Sequence, residues 1–570
     1  MRATIPKSLK NYSVKLFDYI QARDYLKIIL VFFLFLILFI FVYLSINRFV
    51  SLDDHFFHIR FAELIRTQGL SAFENFHWLY FSKISINQEY FVYYNFLFYL
   101  VLIPFTFVKP LFLGIKLYAI FFTSASFTTL YYFFLKTKEK NAFFWVIILF
   151  AVINHMSIWR FFLTRPYALA PALLILELYF LYKKKYVGIF ILSFLYLYWH
   201  SVTFFFPLAV AAIYFMFDAF YHKNKRDWKI IASSFLGTIL ALVSLSLFAP
   251  GFLSFMKDIY FGMFKDTLIG KKINISEGAE LYPADFMNFI KTNTLIVALL
   301  IMAVAFEVLR YIREKKKEFI EDSEFENNKR TLKGTLFFLS VGFLLGTFLS
   351  QRNGDFFVFF SAAYIVMSFN YFLNYIKISN ALVKKSLWIG GIITVIYLFS
   401  ANLLFIRDRI ATSGPYDAIE GAAVWLKNNT QKGEVVFNAS WNWFPTLFYY
   451  NTNNYYIAGI EPRFLYDYNP KMYWAWWNIS NSGYVCFEQK CDNFMTEKEY
   501  AMRKDDRKKN WYEKQGNQVA DVIKDMFKSR YIVTSKDLKN FNDLMDNNGN
   551  FERIFTDTIY NQYFVYRIVD

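Results

Sequence analysis

Residues 53–60 read Asp53-Asp54-His55-Phe56-Phe57-His58-Ile59-Arg60, and they follow directly on the first long apolar run, 28–42 with its flanks. A pair of carboxylates at a membrane surface costs desolvation free energy. In one interpretation the loop is simply polar and happens to be acidic. In the other, the pair acts where a lipid headgroup emerges from the bilayer, where it orients a substrate, deprotonates it or holds a cation. The remainder of the chain decides between these interpretations.

The composition is that of a polytopic membrane protein with a water-soluble part. Of the 570 residues 56% are hydrophobic and 22% aromatic, and the mean hydropathy is +0.28. The apolar runs stop near Ile406. A helix-like segment, 418–427, and a strand-like run, 434–437, follow. We therefore predict a transmembrane domain over 1–410, with outer loops 48–110 and 250–291, and an extracytoplasmic α/β domain over 411–570.

The net charge of +17 does not indicate nucleic-acid binding, because the basic residues form short clusters between apolar runs. That pattern is typical of cytoplasmic loops and of contact with anionic membrane lipid. The first 27 residues carry six lysines and arginines, which predicts a cytoplasmic N-terminus. If the later basic clusters also lie in the cytoplasm, the C-terminal domain lies outside it.

This threading predicts about eleven to thirteen transmembrane helices. The run 90–108 is ambiguous, and we place it along the outer surface because Pro104 and many aromatics suit an interfacial helix. After the first span, the predicted crossings are 111–135, 142–159, 166–182, 187–200, 202–220, 229–249, 292–312, 334–350, 355–376 and 386–406.

The only two cysteines, Cys486 and Cys491, lie in the C-terminal domain. A local disulfide and free buried thiols both fit that position.

Four outward-facing segments resemble the motifs of a known superfamily. DDHFFHIR resembles the first acidic motif of the GT-C glycosyltransferases, and most of all that of the catalytic subunit of oligosaccharyltransferase, in which an aspartate precedes two aromatics and an arginine follows. Asn274-Ile-Ser-Glu277 is similar to that family's short motif ending in glutamate. Ser350-Gln-Arg-Asn-Gly-Asp355 is similar to its segment with a lipid-phosphate arginine. Ser440-Trp-Asn-Trp-Phe444 is similar to its WWDYG acceptor motif.

The resemblance implies a fold, an activity and a set of residues. It implies a GT-C fold and transfer of a sugar or oligosaccharide from a polyprenyl phosphate or pyrophosphate carrier to a protein or glycan acceptor. Asp54 and Glu277 would be catalytic and would ligate a divalent cation, Mg²⁺ or Mn²⁺. The residues implied in binding are Arg352, with Arg160 and Arg165 on the same outer face, for the donor phosphate, and Trp441, Asn442 and Trp443 for the acceptor.

Two motifs depart from the family pattern. The second acidic motif is absent, because 159–169 contains no carboxylate. Asp54 and Glu277 alone would supply too few oxygen ligands for a cation that takes about six. In the acceptor motif, Asn442 stands where the family has an acid and Phe444 where it has glycine.

The departures keep three alternatives open. An oligosaccharyltransferase-like enzyme would use a lipid pyrophosphate and a cation. A monosaccharide transferase would use a polyprenyl-phosphate sugar without metal. A scaffold or transporter for envelope glycans would need no catalytic residue, although few charges lie within the spans and no internal repeat is visible.

Overall fold

The computed structural model describes residues 23–49, 54–82, 95–222, 227–249, 251–254, 256–257, 275, 278–316, 324–373, 381–489 and 505–569. They belong to two compact units. The first unit comprises Met1–Val50, Lys116–Leu242 and Glu280–Thr412, and the second comprises Ser51–Ile115, Val243–Ala279 and Ser413–Asp570. The second unit thus includes the C-terminal part of the chain together with most of both predicted outer loops.

The protein is mostly helical, with one small sheet near the C-terminus. The helices are α1 Asp24–Phe39, α2 His55–Gln68, α3 Ser71–Glu74, α4 Phe96–Leu102, α5 Leu111–Lys136, α6 Ala142–Val152, α7 His155–Phe161, α8 Ala170–Tyr182, α9 Tyr186–Trp199, α10 Phe206–Tyr221, α11 Trp228–Phe248, α12 Phe286–Thr292, α13 Thr294–Lys316, α14 Glu324–Thr347, α15 Asn353–Leu373, α16 Ala381–Ala411, α17 Glu420–Asn429, α18 Phe444–Tyr450, α19 Arg463–Tyr468, α20 Pro470–Ser482, α21 Asp505–Asp525 and α22 Lys539–Asp546. The strands are β1 Val435–Asn438, β2 Tyr455–Tyr456, β3 Ser529–Ser535, β4 Phe551–Thr556 and β5 Tyr563–Ile568.

Long apolar helices confirm a polytopic helical membrane protein. Within the described ranges, six helices are long and apolar enough to cross a membrane, or seven if one bent pair counts as a single span. The sequence predicts eleven crossings. Two of these, 166–182 and 187–200, correspond to α8 and α9, which have 13 and 14 residues, fewer than the roughly 20 that cross a bilayer core. The run 96–107 is also a short helix, as an interfacial segment requires.

The predicted span 142–159 is two helices rather than one straight helix. α6 and α7 meet at an angle of 106°, and the side chain of Asn154 caps α7 by accepting a hydrogen bond from the backbone N–H of Met156 at 2.9 Å. A break of this kind removes the partners of the last carbonyls of α6. The buried Asn402 amide on α16 supplies two N–H donors at this break, and its nitrogen lies 2.9, 3.1 and 3.0 Å from the carbonyl oxygens of Phe150, Ala151 and Ile153.

The second unit contains a five-stranded sheet in the order β2-β1-β3-β5-β4. β1 pairs in parallel with β2 and β3, whereas β5 pairs antiparallel with β3 and β4. Because parallel neighbours need crossover connections, helices lie between these strands along the chain, as the predicted α/β domain requires. α2 belongs to the same unit and packs on α18, with the Phe57 ring 5.1 Å from that of Phe448.

Replacing Asn402 with leucine should destabilise the protein. The variant leaves carbonyls of the α6–α7 break without a donor in a segment shielded from water, and each unsatisfied buried group costs about 1–3 kcal/mol. We expect a fall in unfolding free energy on the order of 3 kcal/mol, read as a lower Tm in detergent. The control is Thr394→Val on the same helix, whose exposed hydroxyl bonds only its own helix at 2.9 Å. Equal Tm values for the two variants would contradict this role of Asn402.

Candidate functional site

Three arginines of the first unit converge on the carboxylate of Glu280. Arg165 Nη1 donates to Glu280 Oε1 at 2.8 Å, and Arg160 Nη1 donates to Oε2 at 3.1 Å. Arg352 donates to Oε1 through Nε at 3.0 Å and through Nη2 at 2.5 Å. Charge-assisted bonds to a guanidinium are stronger than neutral ones. The three donor-phosphate candidates predicted from the sequence therefore lie together, and we call them with Glu280 the arginine cluster.

Backbone contacts fix the two loops that carry Glu280 and Arg352. The Arg352 N–H donates to the Glu280 carbonyl oxygen at 3.2 Å, and the Ser350 hydroxyl donates to the same oxygen at 3.2 Å. The Gln351 N–H donates to the Tyr282 carbonyl at 3.1 Å. The short 3-10 turn Ala279–Leu281 is thus bonded directly to the turn that opens α15, and this pairing brings residues 72 positions apart into an ion pair.

Arg160 occupies the last turn of α7 and is held on three sides. Its Nε donates to both carboxylate oxygens of Asp355, at 3.1 and 3.0 Å, its Nη1 reaches Glu280, and its guanidinium lies 5.0 Å from the ring centre of Tyr167. Its Nη2 is buried and has no hydrogen-bond partner among the described residues. Because buried polar groups are nearly always bonded, this nitrogen is a donor that a ligand could use.

The linker between α7 and α8, which carries Arg165, is bonded to the neighbouring helices. Thr123 and Ser126 on α5 donate their hydroxyls to the carbonyls of Phe161 and Ala168, at 2.7 and 2.8 Å. The indole N–H of Trp199 donates to the Pro166 carbonyl at 2.6 Å. These side chains replace the helical bonds that the linker lacks, so Arg165 projects from a fixed backbone.

The arginine cluster brings three guanidiniums around buried carboxylates. All three pair with Glu280, and Arg160 also pairs with Asp355. Burial by itself raises the pKa of Glu280, but Arg165, Arg352 and Arg160 hold it well below its usual range. Arg352 is the most accessible of the three, with 38% of its side chain exposed against 19% and 12% for the other two. A ligand anion would reach Arg352 first.

Asp54 lies in the second unit, at the residue before α2. Its carbonyl oxygen accepts the first helical bond, from the His58 N–H at 2.8 Å, while its side chain makes no capping bond. The residues after it are buried in aromatic packing, and the His58 Nδ1 is 2.9 Å from the Tyr99 hydroxyl. Asp54 therefore precedes a helix that is packed among aromatic side chains.

The predicted acceptor residues form a 3-10 turn, Trp441–Trp443, in the second unit. Asn442 is exposed, and its side-chain oxygen accepts from the Ser440 hydroxyl at 2.5 Å. Trp441 and Trp443 are half-buried against the core of this unit, and the Trp443 ring lies 5.3 Å from that of Tyr563. This packing leaves Asn442 as the most accessible polar group of the motif.

The predicted cation site pairs Asp54 with Glu277. The described residues contain no group of three or more histidine, cysteine, aspartate or glutamate side chains able to hold a metal ion. Glu277 and Asp53, which the prediction pairs with Asp54, lie outside the described residues, as does Cys491. Cys486 is disulfide-bonded.

Sequence reasoning missed Glu280, the residue on which the cluster converges, and the roles of Asp355 and Tyr167. A signal for the acids existed. Three arginines predicted on one face without an acidic partner need counter-ions, because an uncompensated buried charge is costly, and Glu280 is an acid of the long outer loop. Nothing in the local sequence distinguishes Tyr167 from the many other tyrosines.

Comparison with known proteins supports the fold. No protein-family model matches this chain, and no curated protein matches it. Among solved structures, the crystal structure of the Archaeoglobus fulgidus oligosaccharyltransferase in the apo form matches with a TM-score of 0.58 and 10% identity. The match covers 89% of this chain and 69% of that one.

An identity of 10% shows the fold and nothing finer. The chain shares the fold of that structure, a helical membrane protein, and has a C-terminal α/β domain, so the predicted fold class is confirmed.

Neutralising Glu280 should destabilise the first unit in a pH-dependent way. Glu280→Gln keeps the shape and leaves three guanidiniums without their shared anion, at a cost on the order of 3 kcal/mol near neutral pH. The depressed pKa means that the stabilisation is complete above the ordinary glutamate value of 4.5 and is lost as the pH falls below it toward the folded value. The Tm difference between wild type and variant should therefore narrow in acid.

The matched control is Glu552→Gln, which removes an exposed pair with Arg567 at 2.6 Å. Exposed pairs contribute about 0–1 kcal/mol, so its Tm should stay near that of wild type. A Glu280 variant as stable as this control would show that the cluster is not held by the carboxylate.

Proposed function

We propose that the protein is a membrane glycosyltransferase. It takes a sugar or oligosaccharide from a polyprenyl phosphate or pyrophosphate carrier and transfers it to a protein or glycan acceptor on the extracytoplasmic face. The observation that carries the proposal is the arginine cluster in a chain with the fold of an oligosaccharyltransferase. A partly buried cluster of three guanidiniums, of which Arg352 is the most accessible, suits a phosphate leaving group, whose charge grows as the glycosidic bond breaks.

The proposed roles follow from the chemistry of each group. Arg352, with Arg160 and Arg165, stabilises the leaving phosphate. Asp54 orients the acceptor or takes up its proton, because the acceptor must lose a proton as the new glycosidic bond forms. The disulfide-bonded Cys486 supports placing the C-terminal part in an oxidising compartment, outside the cytoplasm.

Two versions of this proposal differ in metal use. The oligosaccharyltransferase-like version uses a lipid pyrophosphate and Mg²⁺ or Mn²⁺ near Asp54. The monosaccharide version uses a polyprenyl-phosphate sugar without a metal, and the absence of any carboxylate in 159–169 favours it. Transfer by the purified protein in chelator, with and without added Mg²⁺, separates the two. The roles of Asp54 and Arg352 are common to both.

Arg352→Ala should weaken use of the lipid-linked donor. Loss of a charge-assisted phosphate contact costs on the order of 1.5–3 kcal/mol, so a donor titration should show at least a roughly tenfold loss in kcat/KM. The control is Arg567→Ala, an exposed arginine of β5 paired with Glu552, which should leave the titration unchanged. If the two variants give the same donor curve, Arg352 does not contact the donor.

Asp54→Asn should abolish most of the transfer activity. The change keeps the shape and removes the negative charge, and loss of a general base costs about a hundredfold or more in rate. Asp543→Asn, at an exposed position of α22, controls for the substitution itself. The assay uses purified protein with its lipid-linked donor at equal amounts of folded protein. Transfer by the Asp54 variant near the wild-type rate would overturn the mechanism and favour the scaffold alternative.

A further inference from the structure

A second group of charges lies in the second unit, on one face of α2. Arg60, Glu63 and Arg66 follow one another at intervals of three residues, which brings them to the same side of a helix. Arg60 Nη1 donates to Glu63 Oε2 at 2.5 Å, and Lys109 Nζ, which follows the 3-10 turn Ile103–Phe107, donates to Oε1 at 2.7 Å. Arg66 Nη2 lies 3.7 Å from Oε1. We call these four residues the α2 basic cluster.

This cluster has more positive charge than its acid neutralises. Three cations surround one carboxylate, which leaves two positive charges. Glu63 is nearly buried, while 26% of the Arg60 side chain, 27% of Arg66 and 61% of Lys109 are exposed. The distance of 3.7 Å is too long for a hydrogen bond, so Glu63 satisfies none of the Arg66 donors. The exposed cations can therefore bind an anion from outside the protein.

An apolar surface adjoins these charges. The Arg66 guanidinium lies 4.8 Å from the ring centre of Phe107, and Phe107 and Leu100 are 66% and 37% exposed. Both belong to the helical segment Phe96–Phe107, whose 12 residues are too few to cross a bilayer. The opposite face of the segment is buried on α2, where Tyr99 bonds His58. One packed face and one exposed apolar face beside basic residues are typical of a helix that lies in a membrane interface.

We propose that Arg60, Arg66 and Lys109 bind the phosphate of an anionic phospholipid, and that the acyl chains of this lipid cover Phe107 and Leu100. The bilayer supplies both halves of the ligand, a phosphate for the two uncompensated positive charges and hydrocarbon for the exposed rings. An acidic peptide would satisfy the charges and leave the apolar face in water. The site uses none of the residues of the arginine cluster and does not depend on the proposed transfer reaction.

Native mass spectrometry of the full chain in detergent tests the proposal. The probes are phosphatidylglycerol and phosphatidylcholine with identical acyl chains. Wild-type protein should retain phosphatidylglycerol in preference, and Arg66→Gln/Lys109→Gln should weaken that retention roughly tenfold or more and leave phosphatidylcholine unchanged. The matched control is Lys471→Gln/Arg567→Gln, an exposed lysine and arginine of the same unit, which should retain phosphatidylglycerol as the wild type does.

A second variant tests the apolar half and keeps the charges. Phe107→Ser should lower the retention of both lipids, because it removes exposed ring surface and no ion pair. The proposal is overturned if wild-type protein holds the two lipids equally, or if the Arg66/Lys109 variant keeps its phosphatidylglycerol. It is also overturned if that variant loses polyprenyl phosphate and keeps phosphatidylglycerol, since the cluster would then belong to donor binding.

Discussion

The carboxylate of Glu280 is the group on which the proposed active centre of the first unit depends. It accepts hydrogen bonds from three guanidiniums that come from the end of α7, the α7–α8 linker and the turn before α15. Without an anion among them, these like charges would repel one another and each would keep its desolvation cost. Glu280 therefore holds the arginines together before any ligand binds, and the role that we propose for them is to bind a phosphate.

The arginines can lie together only because helices of the apolar region end beside them, so that Arg160 and Arg165 project from helix ends and linkers. A membrane offers no water to a backbone that leaves the helical ladder. The chain meets that constraint with side chains: Asn402 bonds the carbonyls at the α6–α7 break, and Thr123, Ser126 and Trp199 bond those of the following linker. These polar residues belong to apolar helices, and their hydrogen bonds determine where Arg160 and Arg165 project.

In the second unit, aromatic packing holds the candidate residue in place, whereas in the first unit ion pairs hold the candidate arginines in place. Aromatic side chains that follow Asp54 bury one face of α2 against α18 and against the segment Phe96–Phe107. Because these rings hold α2 in place, they also fix the backbone of Asp54, the residue before it, as the proposed catalytic role requires. The basic face of the same helix stays accessible. One short helix thus carries the motif aspartate at its start and the α2 basic cluster along its side.

The sequence by itself determined the class of protein, since apolar runs of membrane length and charge clusters between them depend only on composition and order. It also identified Arg160, Arg165, Arg352 and Asp54 as candidates, because a motif is local. It did not determine that 142–159 bends by 106°, since the partner that permits the break, Asn402, is about 250 positions away. Nor did it identify Glu280, because a shared counter-ion is defined by which loops meet, and only the tertiary structure brings 280 and 352 within hydrogen-bond distance.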